Sequence, residues 1–428
     1  MIKVINKEDC CGCSACAQKC PKHCITMTED KEGFLYPSVN ESLCVDCGIC
    51  DRVCPMKNSF LPIEPIIVFA ACNKDEDIRR KSSSGGIFTL LADKIIAEGG
   101  VVFGAEFNNR WDVVIGHTEK KEGIARFRGS KYVQAEIGDT YKLCEQFLKD
   151  DRLVLYSGTP CQIAGLKRYL IKDYANLLTV DVICHGVPSP MVWRKYLDEV
   201  RRRAIKQTAV RRLLEKVPFL SFLNPMPLIK GIRFRDKSDG WKKYRFVLEL
   251  AEAEAESKKS SVLSSSYTIN DVFYENTFMK AFLQNLILRP SCHNCAAKCG
   301  KSNSDLTIGD FWGVQHLYPQ MDDDKGTGLV LVNSEKGRSL FDYSRINYLI
   351  IHIEDALKSN QYWKKSAKPH PRRNDFFKII ERKKDITQLI ENILNPTNSF
   401  FYNWVIFVKI WIYNILVRVK NEVRPKIY

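Results

Sequence analysis

Apolar and polar positions change period several times along the middle of the chain. After a proline-punctuated linker, Pro62 to Pro65, Ile66 to Cys72 is an apolar run of strand length. Ile87, Leu90, Leu91 and Ile95 then recur at helical spacing, and Gly99-Gly100 stops that helix. Val101 to Ala105 and Trp111 to His117 read as strands and Asp139 to Leu148 as a helix. Leu153 to Tyr156 reads as a strand, Gln162 to Leu170 as a helix and Leu178 to Ile183 as a buried strand. Strands alternating with helices predict an α/β core. Ile229 to Leu250 reads as a hairpin turning at Ser238-Asp239-Gly240. Ala251 to Ser266 reads as an exposed loop and Asp271 to Leu288 as a helix.

From Lys358 the pattern leaves this core and predicts a basic, helical extension. Phe400 to Val419 is rich in aromatic and β-branched residues, but Asn403, Lys409, Asn414 and Arg418 interrupt it. A spanning helix wants about 20 mostly apolar residues, so spanning is not expected. Two readings stand. One is an interfacial helix with Trp404 and Trp411 among headgroups and the basic tail on anionic lipid, a peripheral membrane contact. The other is a helix packed on the body or on a partner chain. The expected domains are 1–60, 66–350 and 355–428.

Composition changes the picture in two ways. The chain of 428 residues has 17 cysteines. With no apolar core segment in Met1 to Asp9, a cytoplasmic chain is expected, and there such a count reads as metal ligation rather than disulfides. The net charge of +15 favours an anionic partner. The basic residues cluster at Arg201 to Arg203 with Arg211 and Arg212, and again from Lys364 to Lys426.

The N-terminal cysteines carry the strongest chemical signal. Cys10-x2-Cys13-x2-Cys16-x3-Cys20-Pro21 is repeated as Cys44-x2-Cys47-x2-Cys50-x3-Cys54-Pro55. This is the spacing of bacterial two-cluster ferredoxins, in which the fourth cysteine of each run ligates the other cluster. Cys10, Cys13, Cys16 and Cys54 are therefore assigned to one 4Fe-4S cluster, and Cys44, Cys47, Cys50 and Cys20 to a second. Zinc wants four ligands in two pairs and has no use for two runs of four. Cys11 and Cys24 lie off the spacing and read as bystanders, and Cys72 and Cys144 as core residues.

Two weaker motifs follow. Ser82-Ser83-Ser84-Gly85-Gly86 precedes a helix, and its exposed N–H groups suit a phosphate or an electron-rich ring edge; an ordinary serine cap explains it equally. Cys161 sits at one strand-to-helix turn and Cys184 ends the next strand, so both should lie at one edge of a parallel sheet. With Cys292-x2-Cys295-x3-Cys299, four thiolates suffice for a third cluster. The alternative makes Cys161 and Cys184 small buried hydrophobes and the late triplet a zinc site.

Taken in order, the tandem cysteine motifs, KSSSGGIF (81–88), RGSKYVQ (128–134), YSGTPCQIAGL (156–166), DVICHGVPSP (181–190), FRDKSDGW (234–241), RPSCHNC (289–295) and DLTIGDFWG (305–313) make a set. With these the chain resembles the family of coenzyme F-420 (deazaflavin) hydrogenase/dehydrogenase beta-subunits. The resemblance implies a ferredoxin-like domain followed by an FAD-binding α/β core with its own 4Fe-4S cluster and a helical C-terminal extension. It implies Cys161, Cys184, Cys292 and Cys295 as ligands of that cluster, with Cys299 as a substitute for one of them. It places the flavin near Ser83, Ser84, Gly85 and Gly86 and near Gly129, Ser130, Lys131 and Tyr132. It also implies a bacterial branch associated with surface-polysaccharide synthesis.

The expected route runs from a ferredoxin or other acidic donor through the N-terminal clusters and the central one to FAD and a small organic substrate. Nucleic acid is not among the expected partners. Lys131 is expected to stabilise negative charge on the reduced flavin or substrate; the plain alternative is a solvated loop lysine. His185 is expected to relay a proton, or else simply to hydrogen-bond its turn. Asp310-Phe311-Trp312 would line the flavin pocket or form a packed turn. The other class of function is an electron-transfer subunit without a substrate site, feeding a partner enzyme.

Overall fold

The computed structural model describes residues 1–207, 226–251 and 267–395. Arg211 and Arg212, most of the 251–266 loop and the 400–419 segment lie outside the described residues. Between the two cysteine runs, Ile25–Glu29 (β1) and Leu35–Val39 (β2) pair antiparallel, with Met27 opposite Pro37. The short helices Ala15–Lys19 (α1) and Ile49–Arg52 (α2) carry Cys16 and Cys50. Each helix starts from a residue in the left-handed region, Ser14 or Gly48, which turns the chain sharply enough to bring successive cysteines to one side.

The apolar runs of the middle become one mixed, eight-stranded sheet. In chain order its strands are Ile67–Asn73 (β3), Val101–Phe107 (β4), Val113–Thr118 (β5), Val154–Gly158 (β6) and Leu177–Val182 (β7). A separate antiparallel sheet comprises Leu228–Asp236 (β8), Arg245–Ala251 (β9) and Tyr267–Val272 (β10). Leu306–Asp310 (β11), Gly328–Val332 (β12) and Ile346–Ile350 (β13) complete the large sheet, whose order is β13-β3-β12-β11-β7-β6-β4-β5. β4, β6, β7 and β11 are mutually parallel neighbours; β5, β12, β3 and β13 join antiparallel on either side. The alternation of strands and helices therefore predicts the parallel centre, and the antiparallel flanks are additions it does not reveal.

Helices Glu76–Lys81 (α3), Ile87–Ala97 (α4), Thr140–Lys149 (α5), Pro160–Leu170 (α6) and Pro190–Gln207 (α7) connect these strands. α6 begins with a capping box between Thr159 and Gln162 and with proline at its first turn, a pre-organised start just where Cys161 must be fixed. The expected helix over Asp271–Leu288 starts later, as Thr277–Leu283. Tyr267 to Val272 instead pairs with β9, and Asn276 caps the helix by accepting from the Met279 N–H. Alternating burial along Tyr-Thr-Ile-Asn-Asp-Val suits a sheet edge better than a helix face.

Several contacts hold the N-terminal module to the core. The Gln18 side-chain oxygen accepts from Tyr141 N (3.1 Å) and Lys142 N (3.2 Å) at the start of α5. Gly165 of α6 lies against Cys13. Arg373, in the helix Arg373–Ile380, pairs with Glu32 (Nη2–Oε2 2.5 Å) and donates to the Leu288 carbonyl, so the C-terminal extension reaches the N-terminal hairpin. Both charges are mostly buried. Replacing Arg373 with Met is expected to cost about 3 kcal/mol in chemical denaturation, because Glu32 loses its close partner and keeps only Lys7, 3.9 Å away; Arg373→Lys should recover part of it.

Candidate iron–sulfur and redox site

The eight regularly spaced cysteines fall into two cavities. One, a small cleft, is lined by Cys20, Cys44, Cys47 and Cys50, with Pro21 and Ile25 on its walls. The other, wider and more open, is lined by Cys10, Cys13, Cys16 and Cys54, with Pro55 and Ile2. In each of them the fourth cysteine of one run stands with the first three of the other. The off-pattern cysteines are close by: the Cys24 sulfur is 3.4 Å from that of Cys20, and Cys11 shares the second cavity.

Among the described residues no three His, Cys, Asp or Glu side chains converge closely enough to hold a single metal ion. A cubane asks for something else: one thiolate for each of several irons, with the sulfurs spread round a hollow. The thiols meet that demand in their hydrogen bonding as well. Backbone N–H groups of Ala15, Ala17 and Met56 with Lys57 point at Cys13, Cys16 and Cys54. Burial pushes the Cys16 thiol up to about 12. A thiol so disfavoured as a free anion keeps its proton until a metal takes its place.

At the core, β6 and β7 run parallel, so their C-terminal ends meet at one edge. This edge carries Cys161 on the first turn of α6 and Cys184 just after β7. Cys292 and Cys295 come from the turn Pro290–Asn294 and the residue after it. The four thiols are electrostatic neighbours. Cys161 is pushed well up by the adjoining Cys11 thiol and by burial. Burial takes Cys184 to about 12, with Lys298 opposing it. Cys292 is raised by burial and then by Cys184 and Cys161; Cys295 by burial and then by Cys161. Here too main-chain donors face sulfur: Gly186 to Cys184, Ala297 to Cys295, and Val187 N to Cys292 Sγ at 3.4 Å. Cys299, in a left-handed conformation, turns toward the Lys364 carbonyl at 3.8 Å. Cys72 and Cys144 are buried, in the sheet and on α5.

The structure brings the two stretches expected near a flavin together. Ser130 N donates to Ser83 Oγ at 2.7 Å, and the two hydroxyls are 2.9 Å apart. Ser84 donates to the Thr327 carbonyl (2.9 Å), and Gly85 packs so tightly on the strands that a Cβ would lie 2.4 Å from the Ala71 oxygen. Gly86, in the left-handed region, starts α4. Gly129 has φ +84° and open space where a Cβ would stand. The Lys131 ammonium is turned inward onto the Arg128 and Gly129 carbonyls (3.3 and 3.2 Å), and burial lowers it to about 8. Tyr132 stacks on Phe282 (4.6 Å), which in turn lies against His185 (5.0 Å). His185 Nε2 is 2.5 Å from Asn285 Oδ1, and burial lowers its pKa, against the opposing pull of that hydrogen bond.

Sequence reading missed the cations around this edge. Arg235 is buried and ion-paired with Asp310; its guanidinium lies 4.3 Å from the Tyr244 ring centre and 5.1 Å from that of Trp312. Its Nε and Nη2 have no hydrogen-bond partner. Trp312 stacks on Trp241 at 4.7 Å, and Trp241 Nε1 donates to Asp310 (2.8 Å), so Asp310 and Trp312 pack around the Arg235 guanidinium while Phe311 is buried in the core. Lys237 donates to the Ser84 carbonyl (3.3 Å), and burial lowers it to about 8. Lys298 donates to the Cys184 (2.5 Å) and Tyr362 (2.6 Å) carbonyls. The available signal was adjacency: Lys298 and Arg289 flank the late cysteines in sequence.

Comparison with known proteins agrees with this layout. A family model described as the C-terminal part of the coenzyme F420 hydrogenase/dehydrogenase beta subunit matches residues 151–355, and the corresponding N-terminal model matches residues 68–140. The chain belongs to this family. A 4Fe-4S dicluster domain model matches residues 9–58. The F-subunit of the F(420)H(2) dehydrogenase of Methanosarcina mazei is 26% identical over 199 residues, 43% of this chain and 55% of that protein. An uncharacterized ferredoxin of Methanocaldococcus jannaschii is 31% identical over 81 residues, 19% of this chain and 45% of its own. The chain thus spans about half the length of these curated relatives. A chain of the F420-reducing [NiFe] hydrogenase complex from Methanosarcina barkeri superposes with a TM-score of 0.40 at 15% identity, covering 70% of this chain and 91% of that one. This family member is an oxidoreductase-type protein with an iron–sulfur domain. Among the described residues no helix is long and apolar enough to cross a membrane.

Proposed function

We propose that the chain is an iron–sulfur electron-transfer subunit that hands electrons to, or takes them from, a partner enzyme. The observation that carries this reading is continuity. Cys11 neighbours both Cys13 of the N-terminal module and Cys161 of the core, so two separate thiol sets nearly touch. Cys10, Cys13, Cys16 and Cys54 would hold one 4Fe-4S cluster, Cys20, Cys44, Cys47 and Cys50 a second, and Cys161, Cys184, Cys292 and Cys295 a third. Bound clusters supply one-electron exchange. The chain's own residues bury Cys13, Cys16, Cys20 and Cys50, donate N–H groups to several of the sulfurs and place Lys298 and Arg289 beside them, each of which tunes the potential. The name of the Methanosarcina mazei relative is that of one component of a larger enzyme, which favours a protein partner here as well. A net charge of +15 suits docking of an acidic donor of the ferredoxin type. The domains proposed are 1–60, 66–350 and 355–428.

A second reading makes the chain an enzyme in its own right, binding FAD or a related deazaflavin between the 83–86 and 129–132 stretches. Arg235 favours it: two guanidinium nitrogens buried without acceptors are costly, and a ring carbonyl or a phosphate would satisfy them. Lys131 would then face the negative charge of the reduced ring, and His185 would exchange its proton.

Anaerobic isolation from the native host separates the readings. The expected sample is brown, holds about twelve irons per chain and carries a partner. Reduced ferredoxin should bleach the isolated chain, with turnover of any small acceptor appearing only when the partner is added. Turnover by the isolated chain with bound flavin would overturn the first reading in favour of the second. A colourless sample would overturn both.

A further inference from the structure

Arg289 is fully buried, three residues before Cys292, yet its side chain belongs to the N-terminal module. Nε donates to the Cys10 carbonyl (2.9 Å), Nη1 to Gln134 Oε1 (2.9 Å) and Nη2 to the Leu35 carbonyl (2.9 Å); Nη2 is also 3.8 Å from the Cys10 sulfur. The Tyr36 ring covers it at 4.4 Å. Gly12 is shaped around it: a Cβ there would stand 2.7 Å from Nη1, on a backbone with φ +71°. Gln134 is committed to the same loop, donating to the Cys11 carbonyl at 3.0 Å.

Every one of these acceptors is neutral. Among the described residues no carboxylate lies within ion-pair distance of this guanidinium, whereas buried Arg79, Arg235 and Arg373 each have one. A buried cation without a counter-charge is strongly disfavoured, so the missing anion should be nearby. The groups that become anionic on ligation are the thiols, and Arg289 reaches two sets of them: Nη2 lies 3.8 Å from the Cys10 sulfur, and its own carbonyl accepts from the N–H of Cys292, a member of the Cys161 set, at 3.0 Å.

Resting on the cluster reading above, we propose that Arg289 is a positioning residue that balances the negative charge of the Cys10 set and of the Cys161 set together, and thereby raises both reduction potentials. The sign follows from charge alone. Reduction adds an electron, and a fixed cation stabilises the more negative state. A single cation acting on both sets also keeps their potentials moving together, so electron transfer between them stays nearly balanced.

The test is a redox titration of the full chain, isolated anaerobically with any partner, followed by electron paramagnetic resonance. Arg289→Gln, which keeps donors but removes the charge, should lower both potentials, shifting each reduced-to-oxidised ratio by about tenfold at fixed ambient potential, about 59 mV for a one-electron step. The cluster of Cys20, Cys44, Cys47 and Cys50, which Arg289 does not touch, should move least. Arg289→Lys should restore most of the shift. If Arg289→Gln loses iron, Gln134→Glu supplies the measurement instead, since a carboxylate on Nη1 neutralises the same charge and should lower the same two potentials. Unmoved potentials at wild-type iron content in Arg289→Gln or, if that variant loses iron, in Gln134→Glu overturn the proposal, as do equal shifts in Arg289→Gln and Arg289→Lys. Wild-type protein without iron would instead overturn the cluster reading on which it rests.

Discussion

Cys161→Ala is expected to lower the iron content from about twelve to about eight atoms per chain while leaving the signals of the N-terminal pair intact. Cys161 opens α6 behind a capping box and proline, so the backbone there does not depend on the thiol, and the helix should keep its place. The loss is therefore chemical. One of four thiolates disappears from a set whose other members come from a strand end and a distant loop, and three ligands do not hold a cubane firmly. Iron and acid-labile sulfide analysis reads the result, with circular dichroism as the check on folding. Full iron content in a folded variant would remove Cys161 from the ligand set. Since Cys11 adjoins it, the double variant Cys11→Ala, Cys161→Ala distinguishes true dispensability from substitution by the neighbour.

The second large effect is expected at Gly165, where no cysteine is changed. A Cβ at this position would stand 2.8 Å from Cys13 Cβ, 2.9 Å from its sulfur and 2.9 Å from the Tyr141 hydroxyl, which donates to the Gln162 carbonyl. None of these can retreat easily, because Cys13 is buried and Tyr141 is fully enclosed. Gly165→Val should cost about 1–3 kcal/mol from overpacking and displace Cys13. The iron of the Cys10, Cys13, Cys16 and Cys54 set should fall, to about eight atoms per chain overall. Gly48→Ala is the contrast. Its φ is +71° but nothing lies within 4 Å of the added methyl, so only backbone strain of about 1 kcal/mol is expected. Equal iron loss in both variants would mean that the tight docking of α6 on Cys13 does not matter.

Lys131 shows what spacing along the chain leaves open. Its alternatives were a charge facing a cofactor or a solvated loop lysine. The half-buried ammonium folds back onto two carbonyls of its own turn, with the Phe107 ring of β4 5.9 Å away. Cys11 is the converse case. Off the regular spacing, it gave no sign of importance, because its neighbour Cys161 is 150 positions away.

By itself the sequence determined what depends on neighbours a few residues apart. The cysteine runs with their prolines, the strand-to-helix turns after β6 and β7 and the caps of the helices are all local, since each follows from spacing and backbone chemistry within one or two turns. Only the tertiary structure decided which distant groups share a site. It put antiparallel strands on both flanks of the parallel centre, split the eight thiols between two cavities and gathered Cys161, Cys184, Cys292 and Cys295 at one sheet edge. It also buried Arg289 in the N-terminal module without a carboxylate. These outcomes depend on packing and on long-range charge, which no window of sequence contains.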